Sequence, residues 1–316
     1  MQILDLILPT FAIILTGWLV ARWQILPSAA AESLIQFAYY VAMPALLFVT
    51  IAKERPGALL EWRFIASFGG GSLLVFVVVF IAVWPRVQRD LASSAVWGMT
   101  AAMTNTGFIA LPILHSVFGA RAVLPTAIAT LFVAVIMFPL GVYLVELRRD
   151  AASGGAAVAE VMLRSLKNPL VSATLLGIVF ACTGLTLPRV VDDYLTILAA
   201  ALAPCALFAI GLGAELAGLR AQLRSALVLS FVKLVVLPVV VLALALLLGL
   251  DPFSIVAATI CAAVPTAKTV YILAAQYDTD RELVATTIAV TTMGSVVTLF
   301  AWLTLMAQLL PGGFPH

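Results

Sequence analysis

The sequence contains little charge, little histidine and little cysteine. Asp, Glu, Lys and Arg make up 10% of its 316 residues, against about 25% in a typical soluble domain, and the formal net charge is only +2. So weak a positive balance, without a long basic block, argues against a nucleic-acid partner. The three cysteines, Cys182, Cys205 and Cys261, lie inside apolar stretches without Cys-x-x-Cys spacing, so they indicate neither a disulfide nor a metal site.

Motifs of familiar enzyme classes are missing as well. The chain contains no H-E-x-x-H, G-x-S-x-G or G-x-x-x-x-G-K-[ST] sequence. His115 is the only histidine within an apolar stretch, and no carboxylate is near it in the sequence. These absences argue against an enzyme and predict no cofactor and no metal. A membrane-embedded enzyme or sensor is the weakest of the alternatives.

Hydrophobic residues are abundant, at 64% of the chain against about 45–50% ordinarily. Apolar runs of about 18 residues or more recur along nearly the whole length, which predicts an all-α integral membrane protein. Charged residues and Pro/Gly clusters divide the chain into roughly ten predicted transmembrane helices: 3–22, 29–51, 62–84, 92–118, 121–146, 168–184, 191–216, 224–249, 252–276 and 281–308.

The two halves of the chain match each other. At an offset of 160, identical residues align in pairs that include two prolines and a glycine: Pro9 with Pro169, Gly17 with Gly177, Pro44 with Pro204, Leu47 with Leu207 and Phe48 with Phe208. Each half has five spans, so the second copy enters the membrane from the opposite side. The prediction is an inverted 5+5 repeat, with repeats at 1–146 and 168–310 and a connecting loop at 147–167.

Basic residues in the connections predict the orientation. Ten Lys and Arg residues fall on the side that includes the 147–167 loop, and five fall on the other side. Because cytoplasmic loops carry an excess of Lys and Arg, the 147–167 loop is expected in the cytoplasm. Both termini are then expected outside the cytoplasm.

Two spans are interrupted by polar residues and proline, at 104–112 (Thr-Asn-Thr-Gly-Phe-Ile-Ala-Leu-Pro) and at 262–268 (Ala-Ala-Val-Pro-Thr-Ala-Lys). Proline removes a backbone donor from a helix, so Pro112 and Pro265 are predicted to break these two helices. Irregular backbone at membrane depth survives only where protein or a water-filled cavity covers it. Each interruption lies near the middle of its span, so the two broken helices are predicted to cross at the bilayer midplane.

Each interruption begins a second half-helix, whose first amides carry partial positive charge toward the crossing. That arrangement suits an anion such as a carboxylate. The predicted substrate-binding residues are Asn105, Thr106, Gly107, Thr266 and Lys268.

Other roles are open for several polar residues. Asn105 can simply cap the second half-helix, and Lys268 can act as a tether in the place that a coupling cation occupies in related folds. Lys233 is expected to extend toward the cytoplasmic face, or else to pair with Glu215. His115 is either a packed neutral side chain or a proton carrier. Lys233, Glu215 and His115 are therefore candidates for coupling or support.

The chain resembles the auxin efflux carrier family, the PIN-like transporters, which include bacterial malonate or other organic-acid permeases. The resemblance is carried by 104–112, by 203–211, by 233–238 and by Pro265. It implies a fold akin to bile acid–sodium symporters, with a scaffold part and a moving transport part, often as a homodimer in the bacterial plasma (inner) membrane. It also implies that Asn105 contacts a substrate carboxylate.

Two departures from the plant members bear on function. The 147–167 loop is far shorter than their long regulatory loop, and Lys268 favours a more strongly anionic substrate than auxin. The leading hypothesis is a carrier that moves small organic anions across the lipid bilayer by alternating access. The alternative within transport is a sodium- or proton-coupled symporter of bile-acid or oxoacid type.

Overall fold

A computed structural model describes residues 2–27, 29–54, 61–87, 90–147, 163, 167, 169–212 and 222–314. Within these ranges the chain is helical apart from short connections and one isolated β-bridge. Glu215 and most of the 147–167 loop lie outside the described residues.

In the described residues, the first half contains six helices. They are α1 (Gln2–Arg22), α2 (Ala29–Ile51), α3 (Trp62–Val83), α4 (Leu91–Ala102), α5 (Leu111–Phe118) and α6, which runs as Val123–Phe132 and Phe138–Glu146 around a π-helical turn. The described part of the second half contains six more. They are α7 (Pro169–Thr183), α8 (Arg189–Leu212, interrupted at Ala201), α9 (Leu223–Leu247), α10 (Pro252–Ala263), α11 (Thr269–Gln276) and α12 (Arg281–Leu309).

Six helical stretches in the described residues are long and apolar enough to cross a membrane: α2, α3, Thr106–Val145, α8, α9 and α12. Helices α7 and α10 and part of α1 are apolar but shorter. The predicted all-helical membrane architecture is confirmed at this level. The count of ten spans and the inverted repeat stay predictions.

Prolines shape the long helices by widening turns. Four five-residue π-helical turns each end two residues before a proline, at Ala38–Ala42, Thr106–Ala110, Val133–Met137 and Val232–Val236. Proline cannot donate a backbone hydrogen bond, and its ring clashes with the carbonyl four residues earlier. A wider turn relieves that clash without ending the helix. Pro44, Pro112, Pro139 and Pro238 therefore sit inside continuing helices.

Buried side chains form two hydrophobic clusters. The larger is built mainly from α3 to α6, α9, α10 and α12. The smaller is built from α2, α7 and α8 with one face of α5 and α6. Phe108, which is partly buried, packs against both clusters. The residue next to the first interruption thus lies where the two packed groups of helices meet.

Helices α1 and α8 approach each other so closely that only glycine fits at the contact. A Cβ atom at Gly17 would collide with the Phe208 carbonyl oxygen, and one at Gly211 with the Ile14 carbonyl oxygen. Without water inside the bilayer, close backbone packing of this kind is a main source of helix association. Gly17 and Gly211 therefore hold α1 against α8.

We predict that Gly211→Ala destabilises the protein by about 1–3 kcal/mol, because the new methyl group can be accommodated only if the backbone of α1 moves. Thermal unfolding of the purified protein measures the effect. Gly70→Ala is the matched control, since a Cβ at Gly70 has nothing within 4 Å, and alanine favours the helix there. Equal melting temperatures for the two variants would contradict the prediction.

Candidate functional site at the crossed helices

The first interruption occupies three residues between α4 and the π-helical turn Thr106–Ala110. Helix α4 ends at Ala102, Met103 is extended (φ −76°, ψ 126°), and Asn105 has φ −83° and ψ 63°. Thr and Asn side chains compete with the backbone for hydrogen bonds and so favour helix ends over helix interiors. The Thr-Asn-Thr sequence therefore places the end of one helix beside the start of the next.

The second interruption lies between α10 and α11. Helix α10 ends at Ala263, and Val264 is extended (φ −69°, ψ 156°). A residue that precedes proline is pushed out of the helical region by the proline ring, so Pro265 explains this end. Helix α11 resumes at Thr269, with Lys268 at its N-cap position.

The two interruptions bond to each other as a short antiparallel β-bridge between Thr104 and Thr266. The Asn105 N–H donates to the Pro265 carbonyl at 2.9 Å, and the Ala267 N–H donates to the Met103 carbonyl at 3.2 Å. Each interruption thus satisfies backbone groups that the other exposes. The breaks in the two helices therefore lie together.

Side chains add further bonds across the crossing. The Thr266 hydroxyl donates to the Thr100 carbonyl at 2.7 Å, and the Thr266 N–H donates to the Thr291 hydroxyl at 3.4 Å. Thr266 is 1% exposed, so both its backbone and its side chain are engaged inside the protein. Thr266 holds the crossing together and presents no open donor to a ligand.

Pro112 does not lie at the crossing. It is the second residue of α5, buried, and seven residues beyond Asn105. Its effect is the wide turn Thr106–Ala110, because a π-helical turn absorbs the missing donor without breaking the helix. The assignment of Pro112 to the helix break was therefore wrong, whereas Pro265 does lie at a break.

The backbone of Asn105 is hydrogen-bonded, whereas its side chain is not. It is the N-cap residue of the Thr106–Ala110 turn, but its side chain makes no capping hydrogen bond. Its carbonyl accepts the N–H groups of Ile109 at 3.2 Å and Ala110 at 3.4 Å. The carboxamide is half-buried and has no hydrogen-bond partner among the described residues. It is available to a ligand.

The residues after Asn105 are closely packed. Thr106 is 2% exposed, and its hydroxyl accepts a hydrogen bond from the Thr130 hydroxyl at 2.9 Å. Gly107 is buried, and a Cβ there would lie 2.8 Å from Leu170 Cδ2. The Phe108 ring stacks on Tyr39 with 5.1 Å between ring centroids. Thr106 and Gly107 can offer a ligand their backbone N–H groups, which have no acceptor within their own helix.

Lys268 is exposed, and its ammonium makes no hydrogen bond or ion pair with any residue that the structure describes. Its carbonyl accepts the Tyr271 N–H at 3.0 Å and so begins α11. A positive side chain at the positive end of a helix is electrostatically unfavourable unless an anion is close to both. Lys268 and the start of α11 therefore form an uncompensated positive region beside the second interruption.

Lys233 is buried, which the sequence did not indicate. It is 0% exposed, within the π-helical turn Val232–Val236, and its Nζ donates to the Ala262 carbonyl at 2.7 Å. The expectation that it extends to the cytoplasmic face was wrong, because the last turn of α10 offers its ammonium a closer acceptor. Pairing with Glu215 concerns a residue outside the described ranges.

His115 is half-buried in the last turn of α5, ten residues beyond Asn105. At 1.5 Å per residue it lies about 15 Å along the helix from the crossing. A cleft of about 550 Å³ lies near the far end of α11, and Gln222, Asp278, Asp280 and Arg281 are among its lining residues. Neither Asn105 nor Lys268 lines this cleft. Neither feature belongs to the crossing.

Sequence reasoning missed several contacts that shape this site. Tyr39, Thr100, Thr130 and Thr291 all contact residues of the two interruptions. Thr291 follows Thr287 by one helical turn on α12, and both are buried. A buried polar row on an otherwise apolar helix was the signal for Thr291. Nothing in the spacing of Tyr39 or Thr130 indicated their partners.

Two crossed, interrupted helices in a helical membrane bundle are a construction used by secondary transporters. A family described as membrane transport proteins matches residues 2–303, and the chain belongs to this family, the auxin efflux carrier or PIN-like family. The chain is a multi-pass membrane transporter, with a small-molecule substrate and the lipid bilayer as its partners.

Relatives from bacteria, archaea and animals align with nearly the whole chain. A protein of Rhizobium meliloti (strain 1021) with the name "Putative malonate transporter" is 30% identical over 301 residues, which cover 94% of each chain. An "Uncharacterized transporter" of Methanothermobacter thermautotrophicus is 25% identical over 311 residues, 94% of this chain and 96% of its own. The "Lysosomal cholesterol signaling protein" of Mus musculus is 24% identical over 94% of this chain, which matches 37% of that protein.

We predict that Thr266→Val lowers stability by about 1–2 kcal/mol, because it leaves the Thr100 carbonyl without its donor at the crossing. Melting temperature of the purified protein is the measurement. Thr259→Val is the control, since the buried Thr259 hydroxyl donates only to Ile255 within its own helix. If both variants melt at the same temperature, the Thr266 side chain does not hold the crossing.

Proposed function

We propose that the protein transports small organic anions, carboxylates or dicarboxylates, and binds them at the crossing of the two interrupted helices. The observation that carries the proposal is the half-buried Asn105 carboxamide. It lies beside the Thr104–Thr266 bridge at the start of a half-helix, with no protein partner in the described ranges. Its two N–H donors match the lone pairs of a carboxylate.

The charges around the crossing support an anion rather than a cation. The segments 91–118 and 252–276 contain no Asp or Glu, and Lys268 is in the second of them. The N–H groups at the start of the Thr106–Ala110 turn and of α11 add partial positive charge. A cationic substrate would meet only like charge here, so the site selects against cations as well as for anions.

Substrate size and charge follow from Lys268 and from the relatives. A full positive charge in addition to the Asn105 donors favours a second carboxylate on the ligand. The Rhizobium meliloti relative is named for malonate, a three-carbon dicarboxylate. Short dicarboxylates are therefore the first substrates to test.

Alternating access is supported by the two hydrophobic clusters. We infer that α2, α7 and α8, which build the smaller cluster, form a scaffold together with α1, which packs closely on α8. Helices α3 to α6 and α9 to α12 then form the moving part that carries the crossing. The Phe108–Tyr39 stack joins the two parts beside Asn105. Motion of one cluster past the other would expose the anion site first to one face of the membrane and then to the other.

The same proposal includes the finer topology. The twelve helices are assigned to ten spans, with α4 and α5 sharing one span and α10 and α11 another. The two halves then form an inverted repeat, both termini lie outside, and the protein resides in the plasma membrane, as a homodimer. A sodium- or proton-coupled symporter is the second candidate, and the buried Lys233 cation favours a proton over sodium.

We predict that Asn105→Ala abolishes uptake of carboxylates into proteoliposomes while the folded protein is still recovered. The Asn105 side chain makes no capping bond. Its removal should therefore cost less than the about 0.5–2 kcal/mol that a lost helix cap costs. Asn168→Ala is the control, because Asn168 is the only other asparagine in the chain. Uptake by Asn105→Ala at the rate of the unmodified protein would remove Asn105 from the anion site.

Lys268→Gln distinguishes a substrate contact from a structural tether. If the ammonium contacts the anion, malonate affinity is expected to fall about tenfold and acetate affinity clearly less, since a lost charge pair matters more for the dianion. Isothermal titration calorimetry with both ligands measures this difference. Lys53→Gln is the control, because Lys53 is exposed and pairs with Asp192 instead. An equal loss for both ligands, together with a lower melting temperature of the ligand-free protein, would show that Lys268 is a tether.

A further inference from the structure

Lys233 is a buried lysine for which the described structure supplies no counter-charge. Its side chain is 0% exposed, and its Nζ donates to a neutral carbonyl, that of Ala262, at 2.7 Å. A charged lysine in the middle of a membrane span is costly unless it has a partner or water. Lysine is also the basic side chain that most readily loses its proton when buried. Lys233 can therefore exist either charged or neutral in this position.

The helices packed around Lys233 bring no carboxylate close to it. Helix α4 has no titratable residue, α10 has only Cys261, and α9 itself has Arg224 nine residues earlier. Helix α12 has Arg281 and Glu282 at its first turn, twelve or more residues before Gly294, which faces Leu234. Twelve residues of helix span about 18 Å. Among the described residues, therefore, no fixed negative charge holds a proton on Lys233.

Lys233 is linked directly to the proposed anion site. Ala262, which accepts its hydrogen bond, lies three residues before Pro265, and the Pro265 carbonyl accepts the Asn105 N–H at 2.9 Å. Three residues span at most about 11 Å, so the Lys233 ammonium lies within about 17 Å of Asn105. At an effective dielectric constant of about 20, an anion at that distance raises proton affinity at least about fivefold, and a dianion raises it more.

Buried polar groups without protein partners lie on the helices around Lys233. Ser230 Oγ, one turn before Lys233, has no hydrogen-bond partner among the described residues, and neither do Ser94 Oγ on α4 and Thr298 Oγ1 on α12. All three lie on helices that pack around the Val232–Val236 turn. Buried groups of this kind are usually hydrogen-bonded to ordered water, which conducts protons.

We propose that Lys233 is a proton-binding site coupled to the anion site, so that its ε-amine takes up a proton from water when an anion binds and returns it when the anion leaves. This inference rests on the proposed anion site. Anion and proton then enter and leave together, which makes the carrier a proton-coupled one. The negative charge of the substrate is partly neutralised inside the membrane by a charge that the protein itself acquires.

The test is isothermal titration calorimetry of malonate and of acetate at pH 8.5, in two buffers that differ in ionisation enthalpy. Both ligands are fully ionised at this pH, so any proton taken up binds to the protein. We expect uptake of up to one proton per anion in the unmodified protein and in Lys53→Met, more with malonate than with acetate. Lys233→Met should bind anion without proton uptake. Lys233→Arg, which keeps its charge at all pH values, should also show none.

Several outcomes would overturn the proposal. Anion binding without proton uptake at any pH from 6 to 10 would do so, and so would unchanged uptake in Lys233→Met. If neither anion binds to the unmodified protein, the proposed anion site fails, and the ligand-free proteins decide the proton site separately. The difference in melting temperature between the unmodified protein and Lys233→Met should then change between pH 6 and pH 10. A constant difference means that Lys233 exchanges no proton.

Discussion

The backbone bonds at the Thr104–Thr266 bridge are the constraint on which the rest of the site depends. Two helices stop in the interior of the bundle, and each stop exposes N–H and carbonyl groups that hydrocarbon cannot satisfy. The bonds from Asn105 to Pro265 and from Ala267 to Met103 satisfy them mutually. Neither interruption would be stable without the other, so the crossing is built from both halves of the chain.

Because the backbone groups at the crossing bond to each other, the side chains there are not needed as their hydrogen-bond partners. Asn105 needs no capping bond, and Lys268 is held in place only through its backbone. Thr266, by contrast, donates its hydroxyl proton to the Thr100 carbonyl. The division between residues that hold the crossing and residues that the proposed function assigns to a ligand follows from which polar atoms are already hydrogen-bonded.

The two lysines near the crossing lie in different environments. Lys268 is exposed at the start of α11, where an anion can reach it, whereas Lys233 is buried against the last turn of α10. The C-terminal end of a helix carries partial negative charge, which makes the Ala262 carbonyl a suitable acceptor for an ammonium group. In the proposed function the exposed lysine attracts the substrate, and in the proposed proton coupling the buried lysine responds to the substrate charge through the low dielectric constant of the protein interior.

Wide turns give the helices around the crossing an unusual shape. Four π-helical turns precede prolines, and they lie on α2, α6, α9 and just before α5. A widened turn leaves carbonyl groups free for other donors, as the Trp302 indole shows by donating to the Leu234 carbonyl at 3.0 Å. Proline thus creates internal acceptors without interrupting the span.

The sequence by itself determined the class of the protein and marked 104–112 and 262–268 as segments with helix-interrupting residues. Long apolar runs with little charge allow only a helical membrane protein, and proline or Thr-Asn-Thr inside such a run must interrupt or widen a helix, because these effects are local. Only the tertiary structure decided which interruption meets which backbone, that Pro112 widens a turn instead of ending a helix, and that Lys233 turns inward to Ala262. The bonds at the crossing and the inward turn of Lys233 depend on acceptors 29 to 166 residues away along the chain, which no local pattern contains.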